Sequence, residues 1–203
     1  MPLTCIDVSV RAGRRAVVAP FSWKHERGGV AWLFGSNGSG KSSLLRVLAG
    51  FQRPATGTLS WSVVPEKIFY FSPAISAPSD LRVCDFVDLV QSISDTSHDE
   101  QLQLLLPPLA DMTNRFRTLS TGEAKRLLLW SILKQNPGPL ILDEPYEHLS
   151  RDVKPVLTTL LHRWADDAVV VVATNQDVPI QPHDTVLSLN GSRLEIANES
   201  RCS

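Results

Sequence analysis

The chain has 203 residues, 43% of them apolar and 20% charged, which suits one globular α/β domain with a real hydrophobic core. A formal net charge of −1 excludes a global basic field for nucleic acid or anionic membrane, so any phosphate binding must come from local geometry. The longest apolar run, Ala168 to Ala173, is far short of the about 20 residues needed to cross a bilayer.

The opening Met-Pro-Leu-Thr-Cys-Ile-Asp lacks the basic region and apolar run of a secretory leader, so none is expected. Leu3 to Val18 alternates apolar and polar residues and predicts one or two short strands. Gly29 to Phe34 is a short apolar run that suits a buried strand. A glycine-rich turn comes next, then Lys41 to Ala49 with Leu44, Leu45, Val47 and Leu48 at helical spacing and Gly50 as a stop. Thr58 to Val63 and Ile68 to Phe71 predict further strands.

The stretch 72–117 changes character. It holds Pro73, Pro78, Pro107 and Pro108 and predicts two helices, Arg82 to Ile93 and His98 to Leu106, as a small helical subdomain within one domain whose core is 1–71 and 118–203. Beyond it, helix and strand alternate: Ser120 to Leu133 helical, Leu140 to Leu142 a strand, Asp152 to Ala165 helical, Val169 to Ala173 a buried strand. Asn190-Gly191, between alternating flanks from Asp184 to Ile196, signals a hairpin. Such alternation implies a mainly parallel sheet. Cys5, Cys84 and Cys202 are odd in number and form no C-x-x-C pair, so reduced thiols are expected rather than a disulfide framework or zinc site.

Three segments carry chemistry. Gly35-Ser36-Asn37-Gly38-Ser39-Gly40-Lys41-Ser42 fits G-x-x-x-x-G-K-[ST] between a predicted strand and a predicted helix. Glycines let successive N–H groups turn toward a phosphate, the helix N-terminus adds partial positive charge, and Lys41 supplies a point charge for the β- and γ-phosphates. The Ser42 hydroxyl can ligate Mg²⁺. Leu140-Ile141-Leu142-Asp143-Glu144-Pro145 ends an apolar strand in two carboxylates. Asp143 suits Mg²⁺, and Glu144 suits a general base for the attacking water. The bland alternative is a strand ending in a turn. Leu119-Ser120-Thr121-Gly122-Glu123 is third; read alone, Ser120 and Glu123 are a capping box.

The order and spacing of the three resemble the ATP-binding cassette (ABC) transporter family. Its Walker A loop is matched by Gly35 to Ser42, with Ser43 next in the chain. Its signature, commonly L-S-G-G-Q, is matched by Leu119 to Glu123 with Thr121 and Glu123 as substitutions, and its Walker B by Leu140 to Glu144. The resemblance covers roughly Leu3 to Ile196 and is nearest to short bacterial export subunits such as the haem-exporter ATPase. It implies a P-loop ATPase core with N-terminal antiparallel strands, ATP and Mg²⁺ as cofactors, and hydrolysis coupled to transport. It also implies a homodimer, or a heterodimer with another ATPase subunit, each ATP lying between one chain's phosphate loop and the other's Ser120, Gly122 and Glu123. The implied partners are integral membrane permease subunits, with no nucleic acid, and the implied location is cytoplasmic, against the inner face of the cell membrane.

Four positions depart from the family pattern. Asn175 stands where His usually contacts the γ-phosphate. Phe71-Ser72-Pro73-Ala74 holds no Gln. Ser150 replaces an acid, and no adenine-stacking aromatic lies within Arg11 to Arg15, where an arginine plane could substitute. Slow hydrolysis is therefore expected, and a regulatory ATP-binding module with weak or no hydrolysis is the alternative. A DNA-repair or translation cassette would carry coiled-coil inserts or tandem cassettes, and a P-loop kinase would need no Leu119-to-Glu123 segment. His148 is expected at the surface, and the five tryptophans in core or interface packing.

Overall fold

The computed structural model describes residues 2–62, 67–94, 99–106, 112–135 and 137–198. Strands β1 (Leu3–Ala12) and β2 (Arg15–His25) form a long hairpin, and β4 (Thr56–Trp61) pairs with the outer side of β1, giving an antiparallel sheet ordered β2-β1-β4. The second sheet contains β3 (Val30–Gly35), β5 (Phe69–Phe71), β6 (Leu140–Asp143), β7 (Val170–Ala173), β8 (Thr185–Asn190) and β9 (Arg193–Asn198). Its order is β5-β6-β7-β3-β8-β9, parallel from β5 to β8 with β9 antiparallel at the edge. The expected fold class, an α/β domain with a mainly parallel sheet and N-terminal antiparallel strands, is the observed one.

The central strands are apolar throughout because both faces are covered. Val30, Trp32, Leu140, Leu142, Val170 and Val172 point into one core with helices α2 (Val83–Ser92), α4 (Thr121–Leu133) and α5 (Val153–Asp167). Ala31, Leu33, Ile141, Val171 and Ala173 point the other way, into a core with α1 (Lys41–Leu48) and the antiparallel sheet. The period-2 alternation of a strand thus divides consecutive residues between two cores. Trp32 and Trp130 are fully buried, Trp23 and Trp164 nearly so, and Trp61 packs half-buried against the second core.

Several expected boundaries shift. The N-terminal strands run to His25, because Phe21 and Trp23 continue the buried face. The helix expected over His98 to Leu106 is the single turn α3 (Glu100–Gln103), capped by Asp99, whose carboxylate accepts from the N–H groups of Gln101 and Leu102. After it, Leu105 and Leu106 bond three residues back rather than four, which tightens the chain into turns. His98, Pro107, Pro108, Val63 and Cys202 lie outside the described residues. The last hairpin turns one residue later than Asn190-Gly191: Asn190 pairs with Arg193, and Gly191 opens the turn at φ +60°. Among the described residues no helix is long and apolar enough to cross a membrane. Cys5 and Cys84 are free thiols, Cys5 buried.

Candidate nucleotide site

The strand order puts the chemistry in one place. β7 lies between β3 and β6, so the carboxyl ends of three adjacent parallel strands deliver the phosphate loop, residues 174–175 and Asp143-Glu144 to one edge, where α/β folds bind ligands. A cleft of about 300 Å³ there is lined by Ser36, Asn37, Gly38, Gly40, Lys41, Ser42, Ser43, Asp143 and Glu144, with Ala12 and Val17 of the hairpin at its side. Residues 36–38 and 40–43 therefore share one cleft with both carboxylates, while Gly35 and Ser39 are not part of its lining.

Gly40 begins α1 at φ +113°, and a β-carbon there would fall 2.9 Å from the Val17 β-carbon, so glycine is required on two counts. No side chain caps α1, and its first turn holds no acid. Its N-terminal N–H groups and their partial positive charge are thus left to an external anion. Lys41, buried in the cleft wall, donates to the Gly35 carbonyl at 2.7 Å and the Ser36 carbonyl at 3.4 Å. It also pairs with Glu144 Oε1 at 3.2 Å.

Glu144 sits at φ +48°, an unusual backbone for a side chain of its size. Its Oε2 accepts the Asn175 N–H at 3.2 Å, and the Asn175 side-chain amide donates to Asn37 Oδ1 at 3.4 Å. Asn175 thus joins the phosphate loop to the carboxylate. Asp143 is buried, and its Oδ1 has no hydrogen-bond partner; the Ser39 hydroxyl is likewise buried and unpartnered. Buried polar atoms are normally satisfied, so these orphans fit a site that completes itself with a ligand. Among the described residues no group of three or more His, Cys, Asp or Glu could hold a metal alone. Asp143 and Ser42 in one cleft match a Mg²⁺ that takes its other ligands from phosphates and water.

Ser120, Gly122 and Glu123 do not line this cleft. They form the start of α4 as a complete capping box: the Ser120 hydroxyl accepts from Glu123 N–H at 3.2 Å, and Glu123 Oε2 accepts from Ser120 N–H at 2.7 Å. Those bonds with Ser120 hold the Glu123 carboxyl below its usual range. The box leaves the Thr121 and Gly122 N–H groups as first-turn donors for an external acceptor. Gly122 also packs against the turn after β6, where a β-carbon would meet the His148 carbonyl oxygen at 2.4 Å. His148 itself is exposed, 3.8 Å from Glu147. In the β1–β2 turn, Arg11 bonds back to the Arg14 carbonyl, so its guanidinium is engaged within the turn.

Ala12 and Val17 in the cleft wall have no signal in the sequence, since only the packing of the hairpin against the loop reveals them. Lys125 also went unforeseen; its signal is a lone cation on the buried stripe of α4.

Comparison with known proteins agrees. The ABC transporter family model matches residues 18–147, more than half of the chain. A cytochrome c biogenesis ATP-binding export protein of Rhodospirillum rubrum is 38% identical over 91% of this chain and 84% of its own length. A zinc import ATP-binding protein of Photobacterium profundum is 29% identical over 91% of this chain and 73% of its own. Among solved structures, a Pyrococcus furiosus protein described as an ABC transporter ATP-binding protein matches with a TM-score of 0.76 at 24% identity, over 92% of this chain and 97% of that one, which supports the fold. The chain belongs to the ABC transporter family, as one of its ATP-binding, ATP-hydrolysing subunits.

Proposed function

We propose that this subunit hydrolyses Mg²⁺-ATP at a composite site made by two ATPase chains, and that closure of the pair drives a membrane-spanning partner at the inner face of the cell membrane. The convergence of Lys41, Asp143 and Glu144 in one cleft is the observation that carries the reading. Residues 35–43 hold the phosphates, and Lys41 exchanges Glu144 for the β- and γ-phosphates when nucleotide enters. Glu144, released, takes a proton from the attacking water as that water bonds to the terminal phosphorus and ADP leaves. Ser42 and Asp143 would hold Mg²⁺, which neutralises charge developing on the phosphate oxygens. Asn175 stands beside Glu144 and donates hydrogen bonds but carries no charge.

The second chain, a copy of this one or a related ATPase subunit, presents the α4 N-terminus to the γ-phosphate through Ser120 and Gly122, with Glu123 holding the turn in shape. Because ATP then binds the closed pair better than the open one, binding favours closure and hydrolysis releases it. The helices between 72 and 117 act as a subdomain on a core of 1–71 and 118–203. Where they meet the core, a cleft of about 400 Å³ lined by Phe71, Ile75, Phe116 and Leu128 together with Arg117 and Lys125 suits an amphipathic segment of the permease. The likeness to a cytochrome c biogenesis export protein supports an export assembly of that kind.

The test is light scattering with saturating ATP on Glu144→Gln. A stable dimer that dissociates when ATP is removed is expected; a monomer under these conditions would overturn the composite site.

A further inference from the structure

One buried cation reaches the hydrolytic residues from outside the nucleotide cleft. Lys125 lies on α4, 6% exposed, on a stripe it shares with Leu129, and it reaches between layers. Its ammonium donates to the Glu144 carbonyl oxygen at 3.0 Å and stands 5.9 Å from the centre of the Phe71 ring. Burying an ammonium costs free energy unless it is paired. Burial does pull the Lys125 pKa down, against the raising charges of Glu147, Glu144 and Asp143. An apolar residue would meet no such desolvation at this position, yet the chain places a charge there, within reach of one particular carbonyl.

That carbonyl belongs to a residue in the left-handed region, φ +48°, which an L residue holds only with support. The Glu144 N–H is tied to the Ala173 carbonyl of β7 at 2.9 Å. On the other side, the Glu144 carbonyl has Lys125 at 3.0 Å and a longer turn bond from Glu147 N–H at 3.4 Å. Without Lys125 the Glu144 carbonyl keeps only the longer turn bond from Glu147. Lys125 also lines the cleft between the helices and the core.

We propose that Lys125 is a positioning residue for ATP hydrolysis: by holding the Glu144 carbonyl it aims the carboxylate into the phosphate cleft, and it links that aim to the placement of α4 beside the second cleft. The inference rests on Glu144 being the general base.

The experiment compares kcat and KM for ATP in the full chain and in Lys125→Met, Lys125→Gln and Lys125→Arg, with Glu144→Gln in parallel. Met and Gln should lower kcat about tenfold to a hundredfold, as small misplacements of a reacting group do, with KM changed by less than about threefold. Arg, which keeps both the charge and the reach of Lys125 where the shorter, neutral Gln amide does not, should recover about half of the wild-type kcat or more. If the Met variant does not fold, the polar Gln and Arg variants carry the comparison. Wild-type kcat in Lys125→Gln while Glu144→Gln is inactive would overturn the inference, as would an effect on KM alone or an Arg variant no better than Gln. Undiminished hydrolysis by Glu144→Gln would instead remove the general-base reading, and this inference with it.

Discussion

Lys41 and Glu144 pair across the cleft at 3.2 Å, their side chains only 6% and 15% exposed. The cation placed to grip phosphate and the carboxylate placed to activate water thus occupy each other, and nucleotide must separate them. Lys41→Ala removes the grip and leaves Glu144 without its counter-charge. ATP binding should weaken about 30-fold or more, as for loss of a buried charge partner, read by calorimetry. Unchanged affinity would remove Lys41 from the site.

Glu144→Gln keeps the shape of the side chain but cannot accept the proton. Hydrolysis should fall by a factor of about a hundred to ten thousand, the usual range for loss of a general base, while nucleotide still binds. The measurement is phosphate release set against equilibrium binding on the same preparation.

Asn175 touches both Glu144 and Asn37 yet offers no charge to a developing phosphate oxygen. Asn175→His should raise turnover about tenfold, less than the full value of a transition-state donor because the backbone contact to Glu144 is already present. A rate that stays level or drops would assign Asn175 a purely structural part.

Gly122 is needed for contact as well as for any phosphate. A β-carbon would sit 2.4 Å from the His148 carbonyl oxygen, and both partners are backbone-bound. Gly122→Ala should lower stability by about 1–3 kcal/mol, as overpacking does, and should impair ATP-dependent pairing. Thermal melting together with light scattering reads both effects; a variant that melts and pairs like wild type would mean that α4 can back away freely.

His162 gives a pH signature far from the cleft. Its Nδ1 faces the Thr158 carbonyl at 2.9 Å and its Nε2 the Asp184 carboxylate at 3.0 Å, so both nitrogens face acceptors, which favours the protonated ring. Burial lowers its pKa, but Asp184 and the Thr158 carbonyl outweigh it and the value stands above 6.5. Asp184 is likewise opposed by burial, but donors from His162, Gln181, Trp32 and Val30 bring it below 3.8. The His162 contribution is fully present below about pH 6.5 and fades as pH rises through its raised folded value, while the Asp184 contribution is present above about pH 4 and fades on acidification. His162→Gln should therefore cost most near pH 5–6, about 1–2 kcal/mol, and progressively less in alkali. Paired melting curves across that range check the slope; a constant difference would mean that His162 is neutral.

The parts legible in sequence were those with local chemistry. Gly35 to Ser42 specifies its turn and helix start through its own glycines and lysine, and Leu140 to Glu144 announces a buried strand with charges at its end. Ser120 and Glu123 form the capping box their spacing implied. What escaped were relationships between distant segments. Lys125 is 19 residues from Glu144, and Asp184 is 154 from Val30, so only the completed fold brings them together. The short α3 and the long β2 were misjudged at their ends, where tertiary packing rather than local pattern decides where an element stops.

The division of β3, β6 and β7 between two interiors has a consequence for how such a protein can change. Inserting one amino acid within Val170–Ala173 would exchange the occupants of opposite sides, sending Val171 where Val172 belongs and Asn175 away from Asn37. The connections beyond the strand tips carry no such constraint. The departures at Ser72 to Ala74, Ser150 and Asn175 all lie in such connecting stretches, where a new side chain can retune the machine without dismantling it.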